Sequence, residues 1–151
     1  MMKVKLIILF AIGLFGCKTS QNSTKMKAIE PILIAKGNLH GSGSEGIKEQ
    51  NIIIDNQSDW DNLIHQINTV NNVSDGFLET KIDFTDYTII AIFTDVKNSG
   101  GHKIDVGVIT TDKEVLVTVN HVGPSGMATS VMTQPYYIAK ISKSDLPIVF
   151  K

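Results

Sequence analysis

Two periods of apolar residues divide the chain. Trp60, Leu63, Ile64 and Ile67 recur at i, i+3, i+4 and i+7, which puts four apolar side chains on one face of a helix. This spacing predicts an amphipathic helix over about residues 58–70. Ser58 reads as its N-cap, and Asp59 and Asp61 place negative charge in the first turn, where the helix dipole favours it. His65 borders the apolar face, and Asn71 to Gly76 ends the element.

Elsewhere the period is two. Ile29 to Ala35 is apolar and β-branched but contains Pro31, which removes a ladder donor and demotes it to an edge strand. Gly37 to Gly46, "GNLHGSGSEG", predicts a loop; it lacks the Lys-Ser/Thr ending and the following helix that a phosphate loop requires. Ile47 to Asp55 predicts the next strand. "DYTIIAIFTD" is apolar on both alternating sets, which predicts a central strand.

Ile104, Val106 and Val108 alternate with Lys103, Asp105 and Gly107, and Val115, Val117 and Val119 alternate with Leu116, Thr118 and Asn120. These runs predict a hairpin. Parity sets its register, because the two valine sets must share a face. A two-residue loop at Asp112-Lys113 places Val108 opposite Val117, Val106 opposite Val119, and Ile104 opposite His121. "VGPSGMATS", Val122 to Ser130, predicts a long irregular loop. "VMTQPYYIAKIS" resumes as a strand with Pro135 near its start, and "DLPIVFK" predicts a last short strand. The expected class is mainly β (α+β): an antiparallel sheet or sandwich with one amphipathic helix.

Composition narrows the function classes. The 151 residues carry a net charge of −1, and no basic cluster stands out, so no nucleic-acid partner is expected. The N-terminus begins with Lys3 and Lys5 and continues as an uncharged, mostly apolar run from Leu6 to Gly16. That run is shorter than the ~20 residues a spanning helix needs and suits a signal-peptide core. It ends at Leu14-Phe15-Gly16-Cys17, with Cys17 the only cysteine. This ending resembles the lipobox of bacterial lipoproteins, where the thiol accepts a diacylglyceryl group. Phe15 is bulkier than the residue usual there. The expected organisation is a lipoprotein signal peptide over 1–16, a flexible tether over 17–28 with Cys17 lipidated, and one β-rich domain over 29–151. The expected location is the bacterial envelope, lipid-anchored at the outer membrane and facing the periplasm.

Candidate chemistry is sparse. The hairpin register makes His102 and His121 diagonal neighbours on one face, ~7–8 Å apart. Two imidazoles can share a metal, but zinc takes three or four protein ligands, and no third stands beside them in sequence. They are the candidate metal ligands, and no metal is assigned. Ser99, Ser125 and Ser130 lie outside any Gly-x-Ser-x-Gly elbow. Asp83 and Asp86 precede a strand, where Asp and Thr favour local turn bonds. No catalytic set emerges, and neither an enzymatic activity nor a cofactor is expected.

Asp83-Phe84 before an apolar strand, Gly100-Gly101 leading into an alternating strand, a proline- and glycine-bearing loop, and Thr133-Gln134-Pro135-Tyr136 before a long strand follow in that order. The order resembles the C-terminal domain of the PrcB protease-complex subunit family, from about Trp60 to the end. The position after the glycines is often aromatic in that family and is His102 here. The resemblance implies that Gly100 and Gly101 form a structural turn. It also implies a lipoprotein role in supporting the stability of a cell-surface protease complex. With the lipobox, the β pattern and the lack of a catalytic set, the leading expectation is a non-enzymatic module that binds an envelope protein, such as a protease. Gly123, Pro124, Ser125, Gly126 and Met127 form the candidate partner loop. The alternatives are an inhibitor-like module presenting that loop, or a His-dependent metal enzyme.

Overall fold

The computed structural model describes residues 26–151. The signal peptide expected at 1–16, Cys17, and the expected tether as far as residue 25 lie outside the described residues. The elements are β1 (Lys27–Ile29), β2 (Ile32–Leu39), β3 (Gln50–Ile54), α1 (Gln57–Ile67), a 3-10 turn (Val73–Gly76), β4 (Tyr87–Phe93), β5 (Lys103–Thr110), β6 (Val115–Val122), β7 (Gln134–Ser142) and β8 (Ile148–Phe150). They form two four-stranded sheets, ordered β1-β5-β6-β8 and β2-β7-β4-β3. Every pairing is antiparallel except β6 with β8, which is parallel.

The two apolar sets of β4 are explained by layering. Ile89, Ala91 and Phe93 pack with Trp60, Leu63 and Ile67 of α1. Ile90 packs on the other side with Val108, Val115 and Val117 of the second sheet. The molecule is mainly β, with helix, sheet and sheet stacked in three layers. Trp60 and Phe93 are fully buried, each stabilising the fold by roughly 1.5–3 kcal/mol on burial bookkeeping. The Trp60 indole N–H donates to the Thr80 carbonyl at 2.8 Å, so its polar handle is satisfied.

The hairpin has the register that parity requires: Ile104 opposite His121, Val106 opposite Val119, and Val108 opposite Val117. The Thr111 N–H donates to the Glu114 carbonyl at 2.9 Å, which closes the loop around Asp112 and Lys113.

Several boundaries differ from expectation. The helix starts at Gln57, capped by Asn56 rather than Ser58, because the Asn56 side chain accepts from the Asp59 N–H at 2.9 Å. It ends at Ile67 rather than 70. There the Asn68 amide accepts from the Ser74 N–H at 3.0 Å and donates to the Ser74 hydroxyl at 2.7 Å, binding the chain to the 3-10 turn. The strand expected over Ile29 to Ala35 is two strands. Pro31 stands between β1 and β2, where the chain leaves one sheet for the other. Lys27 and Ala28, expected in the tether, pair with Thr110 and Ile109. Finally, the loop expected from Gly37 starts only at His40. Gly37 stays in β2 opposite Tyr136, whose ring lies over it: a Cβ there would meet Tyr136 Cε1 at 3.5 Å. An aromatic ring laid across a glycine restores the packing that the missing side chain forfeits.

Candidate functional site

The turn before β5 and the loop after β6 are built as one unit. Lys97 and Thr133 exchange backbone hydrogen bonds at 2.7 and 2.9 Å, and the Gly100 N–H donates to the Thr129 carbonyl at 3.0 Å. The Thr133 hydroxyl donates to the Ser99 carbonyl at 2.8 Å. Next to it, the fully buried Gln134 uses its amide N–H groups on the carbonyls of Ile47, at 2.6 Å, and Thr94, at 3.2 Å. Pro135 follows with its carbonyl accepting from the Thr94 N–H at 3.1 Å. The Tyr136 ring stacks on Phe93 with centroids 6.4 Å apart. Each residue of Thr133-Gln134-Pro135-Tyr136 thus ties one end of the sandwich together.

The chain bends over residues 98–100 before β5, and the positions of Gly100 and Gly101 suit glycine for two different reasons. Gly101 has φ +81°, a region that favours glycine. Gly100 is buried, and a Cβ there would fall 2.4 Å from Thr129 Oγ1. The candidate partner loop lies directly against this turn: a Cβ on Gly101 would sit 3.0 Å from the Pro124 Cβ. Met127, two residues past Ser125, is wholly exposed at 105% relative accessibility, and Val131 and Met132 are about half exposed at 49% and 51%.

His102 and His121 line one cavity of about 230 Å³, together with Thr94, Lys97, Lys103 and Gly123. A second cavity, of about 250 Å³, shares His102 and Lys103 and opens between β2 and β5, where Lys36, Asn38, Asp105 and Tyr136 line it. The fold therefore brings the two histidines together as the register implies. Among the described residues, no three His, Cys, Asp or Glu side chains gather into a metal-ligand set. Instead the His102 Nε2 pairs with the Ser99 hydroxyl at 3.0 Å, a contact the sequence did not suggest. A nucleophile–base pair needs a third group to orient the base, and among the described residues no carboxylate bonds this imidazole. The contact closes the turn. Ser125 and Ser130 are exposed on the loop.

Asp83 makes the expected turn. Its carboxylate accepts from the Thr85 hydroxyl at 2.6 Å and the Thr85 N–H at 2.9 Å. Those bonds, the hydroxyl first, hold the Asp83 pKa below its ordinary value of 3.8.

The lysines around the two cavities went unnoticed in the sequence. Lys97 and Lys103 flank the same glycine turn, but Lys36 lies on β2, some sixty residues earlier, and only the stacking of two sheets brings it to their end.

No curated protein and no solved structure matches the chain. Residues 88–142, which run from the second residue of β4 through the turn, the hairpin and the loop to the end of β7, match the family model described as PrcB C-terminal.

Proposed function

We propose that the protein is a lipid-anchored envelope protein whose β sandwich is a non-enzymatic, protease-complex-associated binding module. The match of residues 88–142 to the PrcB C-terminal family carries this reading. The matched stretch contains the turn, the hairpin and the loop that together build the candidate site. The short apolar run ending in Gly16-Cys17 supports the anchor, since a lone thiol in an exported chain is accounted for by lipidation. Two or more acyl chains hold a protein stably at a bilayer, while one binds only marginally. Among the described residues, no helix is long and apolar enough to cross a membrane.

Co-purification of the full chain from its native membrane, after chemical cross-linking, tests the binding role. A protease or a protease-associated subunit is the expected cross-linked partner, and repeated recovery of the protein alone overturns the reading. Assaying the recovered protease with and without the protein separates stabilisation from inhibition. Cys17→Ala tests the anchor. The variant is expected in the soluble fraction, and its retention on membrane through a high-salt wash overturns lipidation.

A further inference from the structure

The first half of β5 has an unoccupied side. β1 pairs only with Val108 to Thr110, while β6 pairs along the whole of β5 from Lys103 to Thr110. Lys103 to Gly107 therefore present one edge with no strand beside it among the described residues. Lys103, Asp105 and Gly107 are exposed, and a Cβ built on Gly107 meets nothing within 4 Å. An unpaired strand edge is a template for an added strand.

Charge along this edge is graded, with lysines at the Lys103 end and carboxylates toward Gly107. The cavity that opens on this edge is lined by Lys36 and Lys103 together with His102, and by the single carboxylate of Asp105. Asp105 lies 3.6 Å from the Lys103 Nζ, and both side chains are more than half exposed, so the pair is weak and open to exchange. Toward Gly107 the lane ends near exposed Glu30, which follows β1.

We propose that an extended, acidic segment of the partner protein adds as a strand along Lys103 to Gly107, placing its carboxylates at the Lys36, His102 and Lys103 end. The mode is strand addition: main-chain hydrogen bonds supply affinity, and side-chain pockets on alternate positions supply selectivity. One set of alternate residues faces the cavity between β2 and β5, and the other lies beside Lys103. Glu30 at the far end and the lysines at the near end fix the direction of the charge along the strand. The site rests on the protein-binding function proposed above and specifies where that binding occurs.

The probe is a soluble capped peptide alternating valine and glutamate, compared with a valine–lysine analogue and with a valine–glutamate peptide interrupted by proline. Binding is followed by fluorescence anisotropy, and its location by backbone amide shifts in an NMR spectrum. The uninterrupted acidic peptide is expected to bind and to shift residues 103–107. Reversing two contact charges in Lys36→Glu with Lys103→Glu is expected to weaken it about tenfold or more, and Asp105→Asn to tighten it about threefold, as exposed pairs warrant. Lys113→Glu, on the hairpin loop at the opposite end of β5, leaves binding unchanged. Equal binding of the acidic and basic peptides, or of the proline-interrupted one, overturns the proposal. So do shifts elsewhere in the domain. A cross-linked partner that still binds the Lys36→Glu, Lys103→Glu variant places docking elsewhere and leaves the protein-binding function standing, whereas absence of any partner in native membrane removes that function itself.

Discussion

Gly100 lies so close to Thr129 that a Cβ on the glycine would sit 2.4 Å from Thr129 Oγ1 and 3.3 Å from Val131 Cγ1. The long loop after β6 rests on this contact, and Gly101 beside it holds φ +81°. Gly100→Val drives a branched side chain into that loop, so it is expected to destabilise most, by overpacking of about 1–3 kcal/mol. Gly101→Ala meets left-handed strain of roughly 1–2 kcal/mol. His102→Ala loses one half-exposed hydrogen bond to Ser99, worth about 0.5–1.5 kcal/mol. Thermal melts of the three variants check the ranking. A His102→Ala melt below both glycine variants would assign the imidazole a larger structural role.

Among the described residues, Lys140 is the lysine most committed to the core. It is 9% exposed on β7, its ammonium pairs with the Glu79 carboxylate, and it lies 4.3 Å above the Tyr87 ring. Removing the anion leaves the ammonium buried with only the ring for company. Glu79→Ala is therefore expected to cost about 1–3 kcal/mol, the penalty for an unsatisfied buried group. Lys140→Met keeps the stem's packing and removes the charge, and such replacements are often near neutral. Urea unfolding should rank Glu79→Ala as the less stable of the two. The reverse order would mean that the ion pair adds net stability.

Legibility followed how local each cause was. The hairpin register was readable because alternation and a two-residue loop leave one parity, and the helix face because four apolar residues repeat at its period. The double apolar face of β4 is readable as a central strand, but what covers each face is not, since alternation within one strand does not say that α1 packs on one side and the β5–β6 hairpin on the other. Pro31 locally suits an edge strand. Its place at the change of sheet depends on β5 offering a partner to Lys27–Ile29, which no local pattern records. Composition places Gly37 in a loop, yet it stays in β2 under the ring of Tyr136, almost a hundred residues on. The histidine pair was legible from register. Lys36, which shares a cavity with His102, was not, because its place beside β5 is a product of the sheet stacking.

Stability is expected to fall at both ends of the pH scale for separate reasons. The folded pKa of Asp83 lies below its ordinary 3.8. Its contribution is therefore present above that value and is lost as pH falls from 3.8 through the lowered folded value. Asp83→Asn should remove that part of the acid dependence. Burial raises Tyr136 and Tyr137 above their ordinary 10.0. Their contribution is full below pH 10.0 and is lost as pH rises through the folded values, because the unfolded chain gives up those protons first. Tyrosinate absorbance followed with unfolding over the alkaline range checks this. Two tyrosines that ionise near 10 without loss of structure would contradict it.

Met127 separates a contact loop from a crossover whose methionine is tucked into the core. The side chain is fully exposed, and Val131 and Met132 stand half exposed on the same loop. The loop itself is held: Gly100 bonds Thr129, Thr133 bonds Ser99, and Pro124 packs on Gly101. A rigid frame presenting exposed apolar side chains is how loops commonly carry recognition, and a thioether adapts to varied partner surfaces. Met127→Lys is accordingly expected to leave the melt unchanged, within the ~0.5 kcal/mol usual for surface substitutions. The same change is expected to weaken capture of the cross-linked partner about fivefold or more, as loss of a buried interface anchor does. Gly123, at the start of this loop, lines the cavity of His102 and His121, so one partner can touch the loop and the basic end of β5 together. Met127→Lys that melts as the parent does and binds as the parent does would leave the loop as a connector. A substantial loss of stability would mean that the methionine is covered in solution.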